Sequence, residues 1–429
     1  MYGILISLVL LMFLAYRGYS IIWVAPLSAL VVTLTGGLPL LDTYKDIYMT
    51  GFVDFTKSWF PVFMLGAIFG HLMDYTGAAR SIAILLTNIF GPKRAILGVI
   101  IGCAVLTYGG ISLFVVVFAM YPLALALFRE ANITRKLIPG SIALGSFTFT
   151  MTALPGTPQI QNLIPIQYFN TQPTAAPVMG LTAAVFMFGL GYIYLLWRER
   201  KLTARGDLFT EPENRANEKK TETKDLPNPL LSLLPLLSVI ITLNILNWDI
   251  ITSLISGIIL TMVLSYQKYK GFPNSISGGA TGSVIAIINT SAAVGFGAVV
   301  KAVPGFQTLT GLVMGIKGSP LISEAVAVNI LSGATGSASG GMGIALEALS
   351  EKYIQMATEL GINPEALHRI ASLASGGLDT LPHNGAVITL LVITGLSHKD
   401  SYLEIFITSM LLPVLSSIPA IILANYGIY

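Results

Sequence analysis

The sequence has little charge and almost no cysteine, and both shortages restrict what the protein can be. Only 10% of its 429 residues are Asp, Glu, Lys or Arg, against about a quarter in a typical soluble domain. The single cysteine, Cys103, excludes an internal disulfide and a multi-cysteine metal site. A net charge of +3 is too small to indicate nucleic-acid binding. Catalytic serine, zinc-protease and Walker-type signatures are missing too, so we expect neither an enzyme, nor an ATP-driven pump, nor a cofactor.

Long apolar runs take the place of the missing charge. Hydrophobic residues make up 54% of the sequence, and runs suited to crossing about 30 Å of hydrocarbon recur along it. They are 3–16, which is short, 20–40, 59–73, 176–197, 229–246, 250–266, 279–300 and 402–424. The first run lacks the features of a cleavable signal and is expected to be retained. The sequence therefore predicts an all-α, multi-pass protein of the cytoplasmic membrane, surrounded by the lipid bilayer.

The second half of the sequence repeats the layout of the first at an offset of 227 residues. This shift aligns Leu-Pro-Gly-Thr-Pro-Gln at 154–159 with Leu-Pro-His-Asn-Gly-Ala at 381–386, and the glycine cluster at 108–112 with 335–339. A repeat of about 200 residues is too long for a solenoid unit. In a membrane protein it indicates two homologous halves that meet at a substrate site. The predicted units are a first repeat, 1–197, a linker, 198–227, and an inverted second repeat, 228–429.

The linker determines the predicted orientation. Eight Lys or Arg lie within 198–225, which places it in the cytoplasm by the positive-inside rule. Threading from there gives each half five crossings, one re-entrant hairpin (95–128 and 320–350) and one discontinuous helix (137–168 and 365–397). The odd number of crossings inverts the second half. Of the 24 Lys and Arg, 18 then lie on the cytoplasmic side, both termini are extracellular, and 78–91 and 305–316 lie flat as interfacial arms.

Four irregular segments, two hairpin tips and two helix breaks, are the candidate site. Irregular backbone at membrane depth is tolerated only where it is buried in protein or lines a wet cavity, and restarted helices present free N–H groups that suit an anion. We therefore expect these segments to bind a small organic carboxylate, although close helix packing is the alternative for the glycines. The expected contacts are Gly109, Gly110, Ser112, Thr335, Ser337, Ser339, Gly340 and Gly341 at the tips, and Thr152, Gly156, Thr157, Gln159, Asn162, Thr380, His383 and Asn384 at the breaks.

Ionisable residues in apolar segments are candidates for function, because burying them in a membrane is costly. Asp379 and His383 flank the second break, and either is a candidate for carrying a coupling proton. Alternatively, Asp379 pairs with Arg369 or His383, and His383 makes a structural hydrogen bond. The other histidines and Arg369 are expected near the membrane surface or in water, which leaves no buried arginine at the site. These are His71, beside Asp74, together with His368 and His398.

At the tips and breaks the sequence resembles the gluconate permease (GntP) family of the ion transporter superfamily, over essentially its whole length. The run Leu-Pro-Gly-Thr-Pro-Gln-Ile-Gln-Asn at 154–162 is similar to the Gly-Thr-Pro-x-Asn break of that superfamily. The resemblance implies two inverted repeats, a homodimer of scaffold and transport domains, and elevator-like movement. It also implies substrate contacts at Gly110, Ser112, Thr152, Thr157, Gln159, Asn162, Ser337, Ser339, Gly340, Thr380, His383 and Asn384.

Two departures from the family pattern bear on the substrate and the coupling ion. The tips read Gly-Gly-Ile-Ser and Thr-Gly-Ser-Ala-Ser, whereas sodium-coupled relatives carry Ser-Asn-Thr, which speaks against sodium. The first break reads Gly-Thr-Pro-Gln in place of the His-Pro-Gly-Pro of gluconate permeases proper, so the chain is closer to permeases for short hydroxy acids.

These observations lead to one hypothesis and three alternatives. The hypothesis is proton-coupled uptake of a small carboxylate, such as a 3-hydroxybutyrate-like hydroxy acid or a gluconate-type sugar acid. A sodium-coupled carboxylate symporter is the first alternative. An intramembrane enzyme using His383, Asp379 and a serine is the second, and an anion channel built from the two hairpins is the third.

Overall fold

The computed structural model describes residues 2–17, 19–111, 113–212, 226–306, 308, 319–382 and 384–429. Within these ranges the chain is helical and has no strand, which confirms the predicted all-α class. Ser112, His383, the linker residues 213–225 and most of the predicted arm at 305–316 lie outside the described residues.

Helices account for nearly all of the described chain. In order they are α1 Tyr2–Tyr16, α2 Ile21–Gly36, α3 Met49–Tyr75, α4 Ala78–Phe90, α5 Ala95–Tyr108, α6 Leu113–Glu130, α7 Ile138–Ser146, α8 Ile160–Phe169, α9 Pro177–Thr203, α10 Pro229–Asn244, α11 Ile250–Leu264, α12 Phe272–Ala302, α13 Pro320–Thr335, α14 Ala338–Leu360, α15 Pro364–Ser375, α16 Gly385–Thr394, α17 His398–Phe406 and α18 Leu412–Asn425. A π-helical turn, Thr43–Tyr48, leads into α3, and another, Ile407–Leu411, joins α17 to α18.

Several helices have the length and apolar composition of membrane spans. Within the described ranges, four such stretches are Leu40–Tyr75, Pro177–Thr203, Tyr266–Ala302 and His398–Asn425. Shorter apolar helices, such as α2, α10 and α11, lie between them. Between α4 and the segment that begins at Pro92, the chain bends by 95°. This bend separates the predicted first arm from the hairpin that follows it.

Two pairs of consecutive helices form hairpins with glycine at the turn. In the first, α5 and α6 are joined at Gly109-Gly110, where Gly110 has a φ of 95°. In the second, α13 and α14 are joined at Gly336, which has a φ of 61°. Positive φ is readily adopted only by glycine, so the tips need it there. The second hairpin extends beyond its predicted end at residue 350, because Tyr353 and Ala357 keep α14 packed against the protein as far as Leu360.

Both predicted discontinuous helices are interrupted. The first comprises α7, a π-helical turn at Phe149–Ala153, an extended stretch, and α8. Pro155 and Pro158 lack an N–H group and Gly156 has a φ of 77°, so the helix cannot continue through them. The second comprises α15, a 3-10 turn at Leu378–Thr380, and α16.

The two broken helices run antiparallel to each other. Beyond the end of α8, the Thr171 hydroxyl lies 2.6 Å from Nδ1 of His368, near the start of α15. At the other side, Arg135, just before α7, donates to the Thr394 carbonyl at the end of α16 over 3.3 Å. Each broken helix therefore begins on the side where the other ends.

Ion pairs attach the start of the linker to the side where α7 begins. Arg129 donates twice to the Glu211 carboxylate, each time over 2.8 Å, and Nζ of Lys136 lies 2.6 Å from Oδ2 of Asp207. The open end of the first hairpin and the start of α7 thus share a side with the linker.

A buried ion pair joins the long helix of the first half to the last helical segment of the second. Nε of Arg198 on α9 donates to Oε1 of Glu404 on α17 over 2.6 Å, and the Glu404 side chain is 2% exposed. The substitution Glu404→Ala leaves the arginine unpaired, and we expect it to lower the free energy of unfolding by about 3 kcal/mol. Thermal unfolding of the detergent-purified protein measures this.

The exposed pair between Lys301 and Glu351, with side chains 38% and 81% exposed, provides the control. Glu351→Ala should change stability by about 1 kcal/mol at most. Equal shifts for the two variants would contradict the assignment of Glu404 as a buried structural partner.

Candidate functional site

The first hairpin tip is hydrogen-bonded to the first break. Nε2 of Gln159, immediately before α8, donates to the Thr107 carbonyl over 2.6 Å and to the Ile111 carbonyl over 3.3 Å. In return, the Tyr108 hydroxyl donates to the Pro155 carbonyl over 2.9 Å. These bonds pair carbonyls that a break and a hairpin turn leave without helical partners.

The second tip is hydrogen-bonded to the second break in a similar way. Nδ2 of Asn384 donates to the Gly336 carbonyl over 2.9 Å. Its Oδ1 accepts the amides of Ala386 at 2.7 Å and Val387 at 2.9 Å, so Asn384 also caps α16. The predicted contact residue Asn384 therefore joins three parts of the site.

Hydroxyl groups cluster where the second tip meets α12. The Ser337 hydroxyl accepts the Gly340 amide at 3.2 Å and caps α14. The Ser339 hydroxyl lies 3.4 Å from that of Ser337 and 3.3 Å from that of Thr290 on α12. Ser337 and Ser339 are half-buried, as is Gln159. Among the described contacts whose side chains donate hydrogen bonds, these three are accessible.

Close packing explains one of the tip glycines. A Cβ atom on Gly341 would lie 2.0 Å from the backbone nitrogen of Ser332 on α13. The two arms of the hairpin approach too closely there for any side chain. For this residue the structure supports the packing interpretation.

The two breaks contact each other directly. The Ser372 hydroxyl on α15 donates to the Thr152 carbonyl over 2.7 Å. A Cβ on Gly376, just after α15, would lie 2.7 Å from Cγ2 of Thr152. The Thr152 side chain is completely buried in this contact.

Arg369 is completely buried, which corrects the expectation that it lies near the membrane surface or in water and that the site holds no buried arginine. Its guanidinium donates to the Ala175 carbonyl over 3.1 and 2.6 Å, to the Ala153 carbonyl over 3.2 Å, and to Oδ1 of Asn162 over 3.0 Å. All of these acceptors are neutral. The nearest acid on the same helix, Glu365, is one turn away and accepts the Ala176 amide at 2.8 Å.

His368 is also completely buried, so its predicted location in water is wrong. Its Nε2 lies 3.2 Å from Oδ1 of Asn162. Nδ2 of Asn162 donates to the carbonyls of Thr157 at 3.0 Å and Pro173 at 2.8 Å. The break exposes carbonyls that water cannot reach, so polar side chains must be buried with them. Asn162, predicted to contact substrate, is fully engaged in this network.

Asp379 lies inside the second break and is 5% exposed. Its Oδ1 has no hydrogen-bond partner among the described residues. The next residue, Thr380, donates its hydroxyl to the Ser409 carbonyl over 2.8 Å, and its own carbonyl accepts the Tyr402 hydroxyl at 3.1 Å. Glu324 on α13 is completely buried, with both carboxylate oxygens unpartnered within the described ranges. By contrast, His71 and Asp74 are exposed.

Two further residues predicted as contacts lie at the edge of the first break. Gly156 has no side chain, but its carbonyl accepts a hydrogen bond from Nδ2 of Asn244 over 2.9 Å. The Thr157 hydroxyl is buried without a partner in the described part of the chain. A cavity of about 530 Å³ lies elsewhere, between α10 and α11, and none of the predicted contacts lines it. Its lining is mostly apolar, including Trp248 and Ile259, which suits lipid chains.

Sequence reasoning missed three donors, Arg369, Ser372 and Asn244. A signal existed for the first: the adjacent His368 and Arg369 lie in a helix beside apolar residues, and ionisable groups in a membrane segment usually face the protein interior. A lone Asn at the end of an apolar run was the weaker signal for Asn244.

Known proteins resemble this chain in sequence and in fold. A family model described as GntP family permease matches residues 1–260. The uncharacterized transporter YxjC of Bacillus subtilis is 43% identical, with 95% of both chains covered. An uncharacterized transporter of Haemophilus influenzae is 26% identical over 47% of this chain and 45% of its own. The crystal structure of the Alcanivorax borkumensis YdaH transporter is similar in fold, with a TM-score of 0.61, 13% identity and 88% of both chains covered.

The network around Arg369 predicts a large effect for a substitution that keeps its charge. Lysine has no planar fork, so Arg369→Lys cannot reach the Ala175 carbonyl together with Ala153 and Asn162. We expect the free energy of unfolding to fall by about 2–3 kcal/mol, measured as a lower thermal midpoint. Arg205→Lys, at an exposed position after α9, is the control. Identical midpoints for both variants would show that the fork is not needed.

Proposed function

The chain belongs to the GntP permease family and is a secondary transporter and a multi-pass membrane protein, and from that premise we propose that it imports a small organic carboxylate together with a proton. The substrate class is a short hydroxy acid resembling 3-hydroxybutyrate, or a gluconate-type sugar acid. One observation carries the proposal: both tips and both breaks are connected by hydrogen bonds, through Gln159, Asn384 and Ser372. The family and its relatives are permeases, so the enzyme alternative is excluded.

The electrostatics of this region favour an anion. Three helices begin there, α8 after Gln159, α14 after Ser337 and α16 after Asn384, and helix N-termini carry partial positive charge. The buried guanidinium of Arg369 adds a full positive charge that only neutral groups contact. Electrostatic interactions are strong where water is excluded. A carboxylate gains from both sources.

Among the predicted contacts, we propose that the residues with accessible side chains bind the substrate. Ser337 and Ser339 are half-buried hydroxyls at the second tip, whereas the amides of Gly109, Gly110 and Ile111 at the first tip donate to carbonyls of their own hairpin arm. Thr152, Asn162 and Thr380 are buried and bound within the protein, so we assign them to shaping the site. Ser112 and His383 stay in the proposal as predicted contacts.

Asp379 is the proposed carrier of the coupling proton. An acid with little exposure and an unpartnered oxygen is far more stable neutral than charged, so it must hold a proton in this conformation. The Thr380 hydroxyl donates to the Ser409 carbonyl and keeps its oxygen lone pairs, so the sodium alternative is separated from this proposal by the sodium dependence of ligand binding.

We also propose two inverted repeats that move as an elevator within a homodimer. The antiparallel broken helices support the inversion, as does the order of helix, hairpin and broken helix in each half. The linker lies on the side where α7 begins, and its basic residues favour the cytoplasm for that side.

The substrate is tested by ligand-induced stabilisation of the detergent-purified protein. Gluconate, 3-hydroxybutyrate, lactate, citrate and acetoacetate are compared at two pH values, with and without sodium. A bound ligand raises stability by RT ln(1 + [L]/Kd), so we expect one acid to raise the midpoint without sodium. No shift with any carboxylate would refute the substrate class, and saturable counterflow in proteoliposomes would exclude a channel.

Replacing the proposed proton carrier should separate exchange from accumulation. Asp379→Asn mimics the protonated acid, so proton-driven accumulation should fall to the level of passive equilibration while substrate counterflow persists. Asp249→Asn, at an exposed helix cap, is the control and should accumulate substrate normally. Accumulation by Asp379→Asn at the wild-type level would rule out this carrier.

A further inference from the structure

The first residue of α17, His398, contacts the second break from the protein surface. His398 is exposed, and its Nε2 lies 2.9 Å from the carbonyl oxygen of Pro382. The carbonyl is an acceptor only, so Nε2 carries the hydrogen and Nδ1 is left with a free lone pair. Imidazole is the side chain that takes up and releases protons between pH 5 and 8. A proton acceptor in water therefore contacts the segment that holds Asp379.

Tyr402 lies one helical turn further in. Its ring centroid is 5.7 Å from that of His398, and its hydroxyl donates to the Thr380 carbonyl over 3.1 Å. Thr380 directly follows Asp379 in the sequence. Positions four apart share one face of a helix, so Asp379, Tyr402 and His398 form a series from the buried break to water.

The exposed end of this series lies on the linker side of the protein. The Ser401 hydroxyl donates to the Lys136 carbonyl, and the Lys136 side chain is paired with Asp207 at the start of the linker. His398 thus faces the compartment that contains the linker, which we assign to the cytoplasm.

We propose that Tyr402 and His398 form the route by which the coupling proton leaves Asp379 for the cytoplasm. The inference rests on the proposed proton symport. The O–H bond of the Asp379 acid breaks and its electron pair stays on the carboxylate. The Tyr402 hydroxyl leaves the Thr380 carbonyl and passes its proton to Nδ1 of His398 as its oxygen gains the proton of Asp379, and the imidazolium then releases a proton to water. Atoms and charge balance without any further reactant.

Several other ionisable groups surround His398. On its own helix are Lys399, which is exposed, and Asp400, which closes a capping box with Ser397. Arg135 and Lys136 approach from the segment before α7. His383 follows Pro382 in the sequence. Lys399 and His383 are therefore included in the test.

Glu324, the other buried acid without partners, does not compete for this function. Its neighbourhood includes Tyr353 and Ser323, which lie 3.4 Å apart through their hydroxyls, and both are buried. The series from Asp379 ends instead at the exposed His398, so we assign the exit route to α17.

The test uses purified protein in proteoliposomes with the linker side facing the lumen, loaded with a pH-sensitive dye. Net uptake of the substrate identified above is driven by an imposed proton gradient, over a series of lumenal pH values. Counterflow is measured at equal pH on both sides, where no proton has to be released. The variants are His398→Gln, which keeps a donor for the Pro382 carbonyl but cannot titrate, and Tyr402→Phe. Lys399→Gln and His383→Gln are the comparisons.

We expect His398→Gln and Tyr402→Phe to slow net uptake and lumenal acidification about 10- to 100-fold, with counterflow unchanged. At a constant pH difference across the membrane, wild type and Lys399→Gln should take up less substrate as the lumenal pH falls, and His398→Gln should lose this dependence. Wild-type behaviour of His398→Gln would overturn the route. So would loss of the pH dependence in His383→Gln while His398→Gln keeps it. Equal losses in counterflow and net uptake would also overturn it, because they indicate a structural defect. A wild-type protein without proton-driven uptake would instead refute the proposed symport.

Discussion

The structure depends on pairing backbone carbonyls that broken helices release inside a membrane. Water is absent there, so each unpaired carbonyl or amide costs several kcal/mol. At the first break, Arg369, Ser372, Asn162 and Asn244 donate to the carbonyls of Ala153, Thr152, Thr157 and Gly156 respectively. Polar residues are buried in an otherwise apolar protein to meet this need. The buried polar residues that stabilise the irregular backbone are thus the same kind of residues that a site for a polar substrate requires.

The two breaks carry ionisable groups of opposite kind, and this difference is relevant to the proposed transport. The first break holds a buried guanidinium with neutral partners, whereas the second holds a buried acid with an unpartnered oxygen. In the proposed symport, a proton on the acid would leave the guanidinium charge to attract the anion. Release of the proton would return a negative charge near the substrate and weaken its binding. The proposal thus couples carboxylate binding to proton binding.

The sequence was sufficient to predict the interrupted elements. Pro155, Gly156 and Pro158 cannot continue a helix, and the glycines at 109–110 and 336 suit tight tips, so local chemistry determines these features. Gln159 and Asn384, both predicted contacts, do link tips to breaks. Arg369 and His368 were misplaced because counting charges assigns them to the nearest membrane surface. Their partners lie about 200 positions earlier in the chain, which no local pattern reveals: backbone carbonyls for Arg369, the Thr171 hydroxyl for His368, and the Asn162 side chain for both. The hydroxyl and carbonyl contacts of α17 with the second break depend on tertiary packing in the same way.

The pairing of the first break with α15 also has a consequence for synthesis. Ser372 lies 220 residues after Thr152, and Arg369 lies 216 residues after Ala153. Ribosomes add about 5–20 residues per second, so the first half waits roughly 10–40 s in the membrane before its donors are made. During that interval the break carbonyls need temporary partners from lipid headgroups, trapped water or the insertion machinery. The first half therefore reaches its final structure only after α15 has been synthesised and inserted.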